Sequence, residues 1–154
     1  MNQLISEPIV QKFVSKSTVS QLTGQDLFGA ANTAIVESSF YSAQSNETRD
    51  LNAYAVLLLD SHWDPVNQKI LRHAALGSGG SKPRLGVFGS HLTHGWPENE
   101  DQLIGKFTDA RNIDFSQLAN DDSLTKFRAL DVGIGAFLHE VGHAHTLGIL
   151  FFNF

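Results

Sequence analysis

The sequence predicts one α/β (α+β) domain with a mixed sheet. Three observations carry that prediction: an early amphipathic stretch, a series of short apolar runs punctuated by glycine, and a late helix bearing two histidines one turn apart. The chain's 154 residues suit a single domain with a real core. Its 42% apolar content is ordinary for a globular protein. Charged residues make up only 18%, below the usual quarter, so neutral Ser, Asn, Gln and Gly should cover much of the surface.

Residues 8–20 alternate loosely and suggest a strand. From Gly24, the residues Leu27, Phe28, Ala31, Ala34, Ile35 and Ser38 recur at three- and four-residue steps. With Thr23 and Asp26 as caps, that spacing predicts a helix to about Tyr41. SAQSNETRD then reads as a polar loop. The run Ala53–Leu59, closed by Asp60, predicts a buried strand. DSHWDPVNQ reads as a turn, Lys69–Leu76 as a second strand, GSGGSKP as a flexible loop, and Leu85–Gly89 as a short strand leading into SHLTHGWP. Residues 98–110 should form a helix with Leu103, Ile104 and Phe107 on one face, and RNIDFSQLANDD is mostly loop. A last helix runs from Ser123 or Asp131 to His145.

Charge and composition exclude several classes. The net charge is −5 and basic residues never exceed isolated pairs, which argues against nucleic-acid partners and a polybasic membrane patch. There is no cysteine, so a metal would have to be held by His or carboxylate. MNQLISEPIVQKF lacks the charged start and apolar core of a signal peptide, and no run reaches the roughly 20 apolar residues of a membrane span. A cytoplasmic protein is the expectation.

The chemistry concentrates in His139-Glu140-Val141-Gly142-His143. Residues four apart share a helix face with Cβ atoms about 5–6 Å apart, so His139 and His143 can grip one Zn2+ together. Glu140 is rotated by about 100° from His139, too far round to be a natural third ligand but placed to act as general base toward a water on the metal. The flanks, Gly135-Ala136-Phe137-Leu138 and Ala144, are uncharged, as beneath a cleft rather than on an open surface. The plainer reading is two histidines and a glutamate on a half-exposed helix.

A third ligand is required and is not evident. No acidic residue follows His143. The plan that places a Gly three residues and a His six residues after the second His finds Thr146 and Ile149 here. His145 points about 200° from His143 on an unbroken helix and could swing in only if the helix ends at Ala144; otherwise it is a solvent-facing residue near a helix C-terminus. His91 and His94 are three apart, but Gly95 and Pro97 argue against a shared helix face. His73, in a candidate strand, and His62, in a turn beside Trp63, read as structural. Gly77-Ser78-Gly79-Gly80 lacks the features of a phosphate loop.

Several blocks together resemble a known family. They are Asp60-Ser61-His62-Trp63-Asp64-Pro65, His73-Ala74-Ala75-Leu76-Gly77, Leu85-Gly86-Val87-Phe88-Gly89-Ser90-His91-Leu92-Thr93, Trp96-Pro97 and Gly133 to Ala144. In this order they resemble the zinc metallopeptidases found mainly in fungi, assigned by their His-Glu-x-x-His motif; some members carry a jacalin-like lectin domain, to which nothing here corresponds. The resemblance runs from about residue 20 to 144. It implies a single zincin-like metallopeptidase domain over 1–154, Zn2+ as cofactor, His139 and His143 as ligands, Glu140 as base, and a peptide or protein substrate. It also implies a Gly and then a His after Ala144, where HTLGILFFNF stands instead, a divergent tail over 145–154. The expectation is therefore an enzyme hydrolysing peptide bonds, with a truncated, inactive relative lacking the third ligand as the alternative. A carbohydrate-binding module has little support in these residues.

Overall fold

The computed structural model describes residues 26–80, 82–89, 91–113 and 125–145, with only the backbone of His91. The expected strand at 8–20 and the apolar tail at 147–154 lie outside the described residues.

Asp26–Val36 forms α1, Ser39–Ser42 α2 and Asn46–Leu51 α3. The strands are β1 (Ala53–Leu57), β2 (His62–Asp64), β3 (Lys69–Leu71), β4 (Ala74–Ser78) and β5 (Arg84–Gly89). A 3-10 turn at His91–Gly95 and a second at Glu100–Gln102 precede α4 (Leu103–Phe107) and the long α5 (Lys126–Ala144). The main sheet has the order β1-β5-β4, with β1 parallel and β4 antiparallel to β5. β2 and β3 make a separate antiparallel hairpin.

Alternation along a strand sends successive side chains to opposite faces, and β5 uses both. Leu85 and Val87 are fully buried on one face, in a core with Leu27, Ala31 and Ile35 of α1 and with Tyr54 and Val56 of β1 packed against it. Each buried leucine, isoleucine or valine here contributes about 1.5–3 kcal/mol. Gly86 and Phe88 point the other way, toward α5. The described chain is thus layered as helix, mixed sheet, helix.

Loop carbonyls and aromatic packing hold α5 in place. Its N-cap, Thr125, makes no side-chain capping bond; instead the Lys126 and Phe127 N–H groups donate to the carbonyls of Arg111 (2.9 Å) and Asp109 (3.1 Å). Those bonds satisfy two of the donors that every helix start leaves open. Midway along, Phe137 meets Phe88 and Trp96 at ring separations of 6.0 and 5.9 Å, while Trp96 stacks on Phe88 at 6.3 Å. Trp96 fits beside Gly133, where a Cβ would stand 3.0 Å from the indole nitrogen. At the far end, His145 N–H donates to the Val141 and Gly142 carbonyls and closes the helix.

Several expectations need correction. The first helix stops at Val36 rather than Tyr41, because Ser38 turns extended and its hydroxyl accepts from Tyr41 N–H to start α2. The polar loop contains α3, whose N-cap Ser45 accepts from Thr48 N–H. The expected turn from Asp60 includes strand β2. The strand expected over 69–76 is two strands, since Arg72 has φ of 60° and breaks the extended run. The glycine loop begins two residues later, because Gly77 and Ser78 belong to β4. The helix expected over 98–110 is only a 3-10 turn plus α4, and its apolar face is open: Ile104 is 80% exposed.

Candidate metal centre

Helix α5 delivers His139 and His143 to one face. Their rings meet edge-on at 81° with centroids 4.7 Å apart, and the two Nε2 atoms lie 3.1 Å from each other. Two imidazole nitrogens that close need a proton or a cation between them, because facing lone pairs repel. Two ligands on one tetrahedral zinc, each at about 2.0–2.1 Å, stand about 3.3 Å apart. The observed spacing and the donor type therefore fit a shared Zn2+. His139 is exposed and His143 half-buried, so the pair opens toward solvent.

Glu140 occupies a different setting. Turned from His139 by its one-residue offset, it faces the sheet and is the one ionisable side chain among the buried residues described, at 7% exposure. Burying a carboxylate is costly without a partner charge or hydrogen bond, and a cation held by the neighbouring imidazole pair would supply such a charge. It lies over β4: a Cβ on Gly77 would stand 3.0 Å from Glu140 Oε2 and 2.5 Å from His143 Cβ.

Among the described residues no group of three His, Cys, Asp or Glu side chains gathers where an ion could sit. Helix α5 does end at Ala144, the condition for His145 to swing in, but His145 is an exposed C-cap residue and forms no such group. His62 is exposed in β2, with Nδ1 2.7 Å from the Asp60 carbonyl oxygen. His73 is exposed between β3 and β4. His91 and His94 share a 3-10 turn, contrary to expectation; Gly95 ends that turn and Pro97 lies beyond it, so neither interrupts it. A cavity of about 170 Å³, lined by His94, Lys106, Asp109, Arg111 and Lys126 among others, lies at the opposite end of α5. By helix rise that is about 20 Å from His139, too far to belong to the same centre.

Sequence reasoning missed Gly77 and Gly86. They are direct cross-strand partners in β4 and β5 and lie beneath the Glu140–His143 turn. The available signal is a glycine inside a strand pattern, which often marks a close backbone approach; at Gly77 the glycines at 79 and 80 obscure it.

Comparisons with known proteins place the sequence among peptidases. A family model described as "Putative peptidase family" matches residues 9–149. A protein of Schizosaccharomyces pombe named a putative zinc metalloproteinase is 47% identical over 97 residues, covering 62% of this chain and 15% of that protein. A Saccharomyces cerevisiae protein of the same description is 39% identical over 120 residues, covering 76% of this chain and 16% of its own length. The chain thus spans about a sixth of the length of the curated relatives it matches. No solved structure gives a significant match. No helix among the described residues is long and apolar enough to cross a membrane. Because the family model covers most of the sequence, the chain belongs to this peptidase family, alongside the two yeast proteins named as zinc metalloproteinases.

Proposed function

We propose that this chain carries the catalytic helix of a zinc-dependent peptidase acting on peptide or protein substrates, within one zincin-like domain. The observation that carries the reading is the 3.1 Å approach of His139 Nε2 to His143 Nε2 beside the buried carboxylate of Glu140. His139 and His143 would hold the ion together with an unidentified third group. A bound zinc ion supplies Lewis acidity, polarising a carbonyl and bringing the pKa of water toward neutrality. Glu140 takes a proton at its carboxylate from the attacking water and passes it to the leaving amine nitrogen. Its burial keeps the carboxylate in one place and excludes bulk water from around it, which favours proton transfer over exchange with solvent.

Metal content and peptidase activity test this together. Purified chain should hold zinc near one equivalent, and His139→Ala or His143→Ala should lose it. Glu140→Gln should keep the metal while activity falls about 10²–10⁴-fold, the usual worth of a general base. Zinc unaffected by either histidine replacement, or activity untouched in Glu140→Gln, would overturn the assignment. Weak, substoichiometric zinc with no activity would favour the alternative, an inactive relative without a third ligand.

A further inference from the structure

We infer that Gly77, together with Gly86, is a positioning residue of the metal centre: the missing side chains set how deeply the Glu140–His143 turn sits on the sheet. The inference rests on the zinc reading above. Gly77 and Gly86 pair directly across β4 and β5, so both open to the same face. A Cβ on Gly86 would stand 2.6 Å from Glu140 O, 2.7 Å from Glu140 C and 2.7 Å from Val141 N. A Cβ on Gly77 would stand 2.6 Å from Glu140 O as well as 2.5 Å from His143 Cβ. These are backbone atoms and a Cβ inside a helix, so no rotamer change relieves the overlap.

Neither glycine is needed for its backbone conformation, because neither has a positive φ. Glycine also weakens a strand interior, by roughly 0.5–1 kcal/mol relative to alanine in regular structure. Close approach is the remaining reason for both. Restoring ordinary contact distances would lift the turn by about 1 Å, and a displacement of that size at reacting groups can cost about 10²-fold. The two positions differ in what they touch. The three atoms nearest a Cβ on Gly86 are all helix backbone, whereas those nearest a Cβ on Gly77 include the stem of a proposed ligand and Oε2 of the proposed base.

Cobalt(II) titration of the full chain, followed by visible absorption, separates the possibilities, with thermal melts as the control for folding. Wild type should bind one Co2+. Gly77→Ala should weaken binding at least 10-fold and alter the visible bands in the folded protein. Gly86→Ala should lose similar stability but only a few-fold in affinity. Folded Gly77→Ala with wild-type affinity and spectrum would overturn the inference and leave the zinc reading intact. Failure of wild type to take up Co2+ would instead remove the zinc reading, and this one with it. If Gly77→Ala does not fold, folded Gly86→Ala decides: weakened affinity supports the inference and wild-type affinity overturns it. If neither folds, the wild-type Hα resonances are read: Co2+ should shift and broaden those of Gly77 ahead of those of Gly86, and equal effects would overturn it.

Discussion

The two faces of the small sheet are built on opposite plans. On the α1 face, Leu85 and Val87 project into a layer of Leu27, Ala31 and Ile35, and helix and sheet touch through side chains. On the α5 face, Gly77 and Gly86 let helix backbone come down onto strand backbone, with Phe88, Phe137 and Trp96 packed beside that contact. A side-chain layer can adjust when one member changes, at a cost in stability. Contact between two backbones has no such freedom. The first plan holds the fold together; the second fixes where Glu140 and His143 stand.

The sharpest way to break this contrast is a large cut on the α1 face. Leu85→Ala should cost about 2–5 kcal/mol in a denaturant or thermal melt, the range for a buried leucine whose cavity only partly collapses. The variant that remains folded should keep wild-type Co2+ affinity. A loss of metal binding beyond the unfolded fraction would show that the two faces are not independent. A smaller cut on the other face should reverse the pattern. Phe137→Leu keeps most of the volume but gives up ring contacts with Phe88 and Trp96, so about 0.5–1.5 kcal/mol is expected. Phe137 is one turn before Val141 on the same helix, so Co2+ affinity should still fall several-fold. Unchanged affinity there would leave the glycines alone in setting the helix.

How far this division was legible in the sequence follows the same line. Leu27, Ala31 and Ile35 advertise a buried helix face through their four-residue spacing, and all three are buried. The run from Ala53 gives β1, although it ends at Leu57 and is half-exposed rather than buried, and the block from Leu85 gives β5, because apolar side chains mark strands by composition. His139, Glu140 and His143 were legible as a motif, since helical spacing alone brings the two imidazoles together. What composition could not show were features without side chains or with an exceptional backbone. Arg72 splits a strand through a left-handed φ that arginine does not announce. Gly77 and Gly86 matter for what they lack, and their importance appears only once the partner across the gap is known. The open face of Leu103, Ile104 and Phe107 is the converse case, helical apolar spacing that the described structure does not bury.

The smallest effect is expected at the start of α5, and it asks whether the glycine contact acts without help from the far end of the helix. There the Asp109 and Arg111 carbonyls receive the first helix N–H groups, and the two side chains clasp each other, with Arg111 Nε 2.8 Å from Asp109 Oδ1. The hydrogen bonds from Arg111 hold the Asp109 carboxyl well below the usual carboxylate range. A folded-state value lowered in this way stabilises the protein above the unfolded value of about 3.9. That contribution disappears as pH falls through the folded value. Asp109→Asn should therefore melt slightly below wild type at neutral pH, with the gap closing as pH drops below about 4. The exposed guanidinium keeps the effect small and sensitive to salt. Co2+ affinity should be unchanged, because the first turn of α5 is about 20 Å from the imidazoles by helix rise. A gap in melting temperature that persists undiminished at pH 2 would show that Asp109 acts through the loop's shape rather than its charge. Weakened metal binding in the same variant would show that the depth of the Glu140–His143 turn is set along the whole helix and not where it meets Gly77 and Gly86.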